Sequence, residues 1–159
     1  MISKIRTSLL FFFRARIPYL CMNIIKAFEV AKKRMVAKNW DRVYVLVDVH
    51  DTIFKACYEK EERFEYFPMA KETLQLLTQR EEFCLILWSS AYHIDIFKYK
   101  KKMREDGIMF RYYNENPEVK DTDLAYFGEK LYFNIGLDDK FGFEAETDWR
   151  EIYDYLQGT

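Results

Sequence analysis

Three strand-length apolar runs, each stopping abruptly on polar or acidic residues, alternate with helix-periodic segments along this chain. That alternation leaves few folds open. The runs are Val43 to Val47, followed by Asp48, His50, Asp51 and Thr52; Phe83 to Trp88, followed by Ser89 and Ser90; and Leu131 to Leu137, followed by Asp138 and Asp139. Near-continuous apolar strands suit a parallel sheet covered on both faces. The segments between them carry apolar residues at threes and fours, as helices do: 22–38, 69–80, 92–105 and 148–156. Their boundaries are marked by Asn39, by Pro68 before the second helix, by Gly107 after the third, and by Asp148 with Glu151 as a capping box. A further strand is expected at Ile108 to Tyr112. Strand and helix in alternation predict right-handed βαβ crossovers and a three-layer α/β fold with helices on both faces of a parallel sheet.

At 159 residues the chain has room for one core and not for a second full domain. We divide it into an N-terminal extension at 1–21, a basic helix at 22–40 and an α/β domain at 41–159. Net charge is near zero but unevenly placed. Residues 1–38 hold nine Lys/Arg against the single acid Glu29, leaving sixteen basic and twenty-five acidic residues beyond them. The basic helix could meet nucleic acid or another anionic surface, or dock on its own acidic body. A second lysine-rich stretch, Lys98 to Lys102, reads as a solvated helix face that could add to such a surface. No run approaches the roughly twenty apolar residues of a membrane span. The block from Leu9 to Phe13 is followed by Arg14 and lacks a secretory cleavage site. Cys21, Cys57 and Cys84 form no Cys-x-x-Cys pair and leave an odd thiol, which points to a reducing, cytoplasmic setting and away from structural zinc.

Ligands in open α/β sheets bind at the carboxyl ends of the strands. Asp48 stands at such an end, and a fixed carboxylate there can attack phosphorus. Ser89 ends the second run, and Asp138 with Asp139 ends the last, ahead of a turn at Gly142. In this order, with Thr52 four residues after Asp48 and Lys120 in the polar stretch before the acid pair, the motifs resemble those of the haloacid dehalogenase superfamily over about residues 43 to 156. The departure is His50, which stands where that family has a second Asp. Lys130 competes with Lys120 but is expected to open the strand.

The resemblance implies a Rossmann-like fold of the small, capless type, with residues 53–67 as a short flap over the site. It also implies a Mg²⁺-dependent hydrolase of phosphomonoesters that forms an aspartyl-phosphate on Asp48. The metal ligands would be Asp48, Asp138 or Asp139, and the backbone carbonyl of His50. Lys120 would neutralise charge, Ser89 would donate a hydrogen bond to phosphate, and His50 would take over the proton work of the missing Asp. The substrate would be a small or macromolecular phosphate. The alternative is a catalytically weakened relative that binds phosphate or a partner in a regulatory or structural role. Phe64, Tyr66, Phe67 and Trp88 are candidates to frame a substrate pocket, against the plainer expectation that they pack.

Overall fold

The computed structural model describes residues 23–56 and 64–159. Four parallel strands form one sheet in the order β3-β2-β1-β4: β1 (Val43–Asp48), β2 (Phe83–Trp88), β3 (Tyr112–Tyr113) and β4 (Ile135–Leu137). The helices are α1 (Ile24–Lys38), α2 (Ala70–Gln79), α3 (His93–Glu105) and α4 (Asp148–Gln157). β1 and β2 pair along their whole length, from Val43 beside Phe83 to Asp48 beside Trp88. Both are central, so nearly every side chain is covered, and this is why their sequences are apolar without alternation.

Alternation appears in where the side chains go. Val43, Val45 and Val47 of β1 and Leu85 and Leu87 of β2 share one core with Phe28 of α1, Leu74 and Leu77 of α2, Met103 of α3 and Trp149 and Ile152 of α4. Each such aliphatic side chain stabilises the fold by roughly 1.5–3 kcal/mol. The steps from β1 to β2 and from β2 to β3 run in the same direction across the sheet, so right-handed crossovers place α2 and α3 on the same face. The return from β3 to β4 crosses the opposite face. There the described residues form a layer from the 114–134 segment: the Tyr44 hydroxyl donates to Glu118 at 3.0 Å, and Gly136, beside Leu46, sits under Phe133 and Phe141. Glu118 also accepts from Arg42, Arg111 and Tyr112, which fastens this layer to the sheet. The expected three-layer α/β fold without a large cap domain is what the structure shows, but the helices expected on both faces lie on one, and the 114–134 segment covers the other.

Local chemistry explains the helix ends. Asn23 caps α1 by accepting from the Lys26 N–H at 3.1 Å, and Asn39 stops it in the left-handed conformation at φ 51°. At α4 the expected capping box is not formed: Thr147 holds the cap position, and Asp148 accepts from the Glu144 N–H at 2.9 Å, which secures the preceding loop. The edge strands are shorter than expected. Residues 108–111 precede the sheet and only Tyr112–Tyr113 joins it, while 131–134 lead into a β4 that begins at Ile135.

In the flap region, Phe54 bridges Tyr66 antiparallel, with the Lys55 N–H donating to Glu65 O at 2.9 Å and the Phe67 N–H to Ile53 O at 3.0 Å. These are the two arms of the expected hairpin. Its middle, with Cys57, and the 1–21 extension, with Cys21 and the Leu9 to Phe13 block, lie outside the described residues. Cys84 is a buried free thiol whose burial pushes its pKa up to about 11, so it is core and not a nucleophile. Among the described residues no helix is long and apolar enough to cross a membrane. α1 packs beside β1, β4 and α4, whereas α3 connects β2 to β3 and meets the flap through Tyr99 against Phe54 and Phe64. α1 and α3 are thus packed against different parts of the fold.

Candidate functional site

Parallel pairing brings the carboxyl ends of β1, β2 and β4 to one edge, and the sequence-predicted acids arrive there together. Asp48 closes β1, and Asp138 directly follows the Leu137 that pairs with Val47. Asp48, Asp138 and Asp139 each offer one carboxylate oxygen, and these three oxygens lie within 4.8 Å of one another. Asp138 is held rigidly. It is 5% exposed, its carboxylate accepts from the Lys140 N–H at 2.8 Å, and its carbonyl accepts from Phe141 and Phe143 as the chain turns through the 3₁₀ segment Asp139–Phe141 to Gly142 at φ 88°. A side chain at that φ would be strained, so the turn that presents the acid pair requires glycine.

Thr52 ties the two loops of the site. Its hydroxyl accepts from the Asp139 N–H at 3.3 Å, and its carbonyl accepts from the buried Trp149 indole at 2.8 Å. Three carboxylates at such spacing repel one another. Burial first, then the charges of Asp138 and Asp139, push the Asp48 carboxyl up from 3.8 to about 6, against a Val49 backbone hydrogen bond and the Lys140 charge that pull it down. A hard divalent cation with oxygen ligands relieves this conflict, so the donor set fits Mg²⁺.

The other predicted residues are placed differently from one another. Ser89 is buried at the end of β2. Its N–H donates to Asn114 Oδ1 at 2.9 Å, its carbonyl accepts from Asn114 Nδ2 at 2.7 Å, and its hydroxyl accepts from the Ala91 N–H at 3.2 Å. Asn114, in the left-handed conformation at φ 50°, is thus a clamp on the serine that sequence reasoning missed. No local pattern signals it, because the partner is twenty-five residues away. His50 is exposed, and its Nε2 lies 2.9 Å from the Tyr99 hydroxyl; the imidazole is not among the groups that gather with the carboxylates.

Lys120 is exposed on the wall of a groove of about 750 Å³ formed by Trp88 and the 114–132 segment. The ammonium whose charge bears on Asp48 is instead that of Lys140, which pairs with Asp139 at 3.1 Å and whose own pKa is raised, first by that hydrogen bond and then by the surrounding acids. Its position one residue after the acid pair was the available signal. The four candidate pocket aromatics separate. Phe64 and Tyr66 pack on Phe54, at ring centroid distances of 5.6 and 4.6 Å, and Phe67 packs against the core, whereas Trp88 lines the groove.

No protein-family model and no curated protein matches the chain. A search of solved structures finds similarity to a conserved protein from Bacteroides thetaiotaomicron, 28% identical, with a TM-score of 0.57 over 74% of this chain and 91% of that one. The likeness supports the Rossmann-like α/β architecture described above.

Proposed function

We propose that this chain is a Mg²⁺-dependent phosphomonoester hydrolase that works through an aspartyl-phosphate on Asp48. The observation that carries the reading is the convergence of Asp48, Asp138 and Asp139 at the carboxyl edge of the sheet. Asp48, Asp138 and Asp139 would hold the cation, joined by the His50 carbonyl if the resemblance to the haloacid dehalogenase superfamily extends that far. When bound, Mg²⁺ would screen the repulsion between the carboxylate and the phosphate dianion.

The Asp48 oxygen forms a bond to phosphorus as the bond from phosphorus to the leaving oxygen breaks, and that oxygen takes up a proton. Water then attacks the acyl phosphate, losing a proton, and releases inorganic phosphate and the free Asp48 carboxylate. Ser89 would donate its hydroxyl to a phosphate oxygen, the role that the resemblance gives it. Lys140, on the acid-pair turn, takes the charge-neutralising role that the sequence had assigned to Lys120. His50 is the candidate for both proton transfers, and it must exchange its Tyr99 contact to make them.

That contact favours a second reading, a phosphate-binding module with little turnover, because loss of general acid or base catalysis costs about 10²- to 10⁴-fold. Hydrolysis of para-nitrophenyl phosphate with Mg²⁺ separates the two. The hydrolase reading expects turnover that Asp48→Asn abolishes and His50→Asp raises. Turnover no greater than that of Asp48→Asn would leave the binding module.

A further inference from the structure

We infer that the groove beside the acid cluster is the pocket for the organic part of the substrate, and that it selects a planar ring that is neutral or cationic over a polyanion. The inference rests on the hydrolase reading and adds the substrate class. Its basis is which side of the sheet the groups occupy. Asp48 and Trp88 are direct neighbours across β1 and β2, and residues aligned in a parallel ladder point to the same face. That is the face covered by the 114–134 layer, and the groove of about 750 Å³ runs between this layer and Trp88. A group attached to a phosphate at Asp48 would therefore lie on the Trp88 side of the sheet, toward the groove.

The lining specifies what fits. Trp88 is 37% exposed at the mouth, a large ring left partly in water at the end of a buried strand, and Tyr126 adds a second exposed ring along the groove. Aromatic faces of this kind bind flat groups by stacking. The charges exclude another class. Glu115, Asp121 and Glu129 line the groove against the single ammonium of Lys120, so a second phosphate or a nucleic-acid strand meets an acidic wall. Asn116 also lines the groove; it is 9% exposed, and its Oδ1 is buried without a donor while its Nδ2 donates to Tyr132 O at 2.9 Å. An N–H or O–H on the edge of a ring would answer that acceptor. Asn114 joins the two halves of the site, since it lines the groove and clamps Ser89.

Two substrates with similarly poor alkoxide leaving groups test this without confusing ring recognition with leaving-group reactivity: naphthylmethyl phosphate and glycerol 2-phosphate, assayed with Mg²⁺. The expected result is at least a tenfold preference for the ring in kcat/KM, expressed in KM. Trp88→Ala should bring the ratio to within about threefold of one, and Trp88→Phe should restore most of it. Equal use of both substrates by the native chain, or a ratio unchanged in Trp88→Ala, would overturn the inference while leaving the hydrolase reading intact. Naphthylmethylphosphonate, which cannot be hydrolysed, supplies an independent readout. Saturable quenching of tryptophan fluorescence that disappears in Trp88→Phe supports the pocket even if turnover is absent and the hydrolase reading fails. Quenching that persists in Trp88→Phe counts against the pocket.

Discussion

Replacing Asp48 with Asn should make the metal-free protein more stable at neutral pH, although the residue is the proposed nucleophile. The folded chain holds the Asp48 proton more tightly than the unfolded chain does, at about 6 against 3.8, because burial and the neighbouring acids penalise the charged form. The neutral carboxyl therefore contributes stability below about pH 3.8, and that contribution is lost as pH rises through about 6, after which an ionised group is held where it is disfavoured. At about 1.4 kcal/mol for each tenfold change in proton affinity, full expression of the shift would cost the fold roughly 3 kcal/mol at pH 7.5. Asp48 is only half-buried, and screening by water reduces this to roughly 1–2 kcal/mol.

Asn has nearly the same shape and no charge, so Asp48→Asn should raise Tm in EDTA at pH 7.5 by roughly 2–8 °C for a chain of this length. The difference should fade below about pH 4. Mg²⁺ should reverse the order, since a ligand at a hundred times its Kd stabilises by ~2.7 kcal/mol and the variant lacks one of the three carboxylates. Thermal melts from pH 4 to 8, with EDTA and with Mg²⁺, measure all of this. If the variant is less stable at pH 7.5 without metal, or if the difference is the same at every pH, Asp48 is a structural acid and the reasoning is wrong.

Asn114→Ala removes both hydrogen bonds to the Ser89 backbone and leaves an alanine at φ 50°, so urea denaturation should show a loss of roughly 2–4 kcal/mol. Asn114→Gly, which tolerates that φ, should recover about 1 kcal/mol of it. Gly136→Ala would set a Cβ 2.8 Å from the exposed Phe141 ring and 3.2 Å from Phe133, breaking their stacking at 6.3 Å. The expected outcome is a cost of roughly 1–3 kcal/mol in urea and weaker Mg²⁺ binding by calorimetry, because Phe141 closes the turn that carries Asp139. Asp106 anchors the flap by accepting from Tyr66 and Lys71, each at 2.8 Å, and from Lys102. Burial raises its pKa, but those hydrogen bonds outweigh burial and hold it at about 2, so its contribution is present above pH 3.8 and lost as pH falls toward 2. Asp106→Asn should flatten the acid limb of the stability curve and speed hydrogen exchange at Lys55 and Phe67.

The central strands were readable because both their faces are buried, and an unbroken apolar run can satisfy only that environment: β1 and β2 begin where the sequence places them. The edge strands were not. At the start of β4 the Asn134 N–H donates to Tyr44 O at 2.9 Å while its side-chain oxygen accepts from the Tyr44 N–H at 2.8 Å, so a side chain continues the pairing and no strand signal results. Residues 131–133 use their apolar character to line the groove and cover the sheet instead. Within the site, the acids were legible because Asp48 and the Asp138–Asp139 pair directly follow apolar runs, and backbone register brings the two strand ends together. The sequence weighed Lys120 against Lys130; placing Lys120 needed the course of the 114–134 layer, which is set by Glu118 meeting the distant Arg42 and Tyr44 as well as the nearby Arg111 and Tyr112. The tilt of His50 toward Tyr99 likewise depends on α3, forty-nine residues on.

The most direct test is a crystal structure of the protein with Mg²⁺ and beryllium fluoride, a mimic of the transferring phosphoryl group. The account predicts one cation bound by Asp48 and at least one of Asp138 and Asp139, with beryllium joined to the Asp48 carboxylate and facing the Trp88 groove. A cation bound elsewhere, or an Asp48 that carries no adduct while the fold is intact, would contradict it.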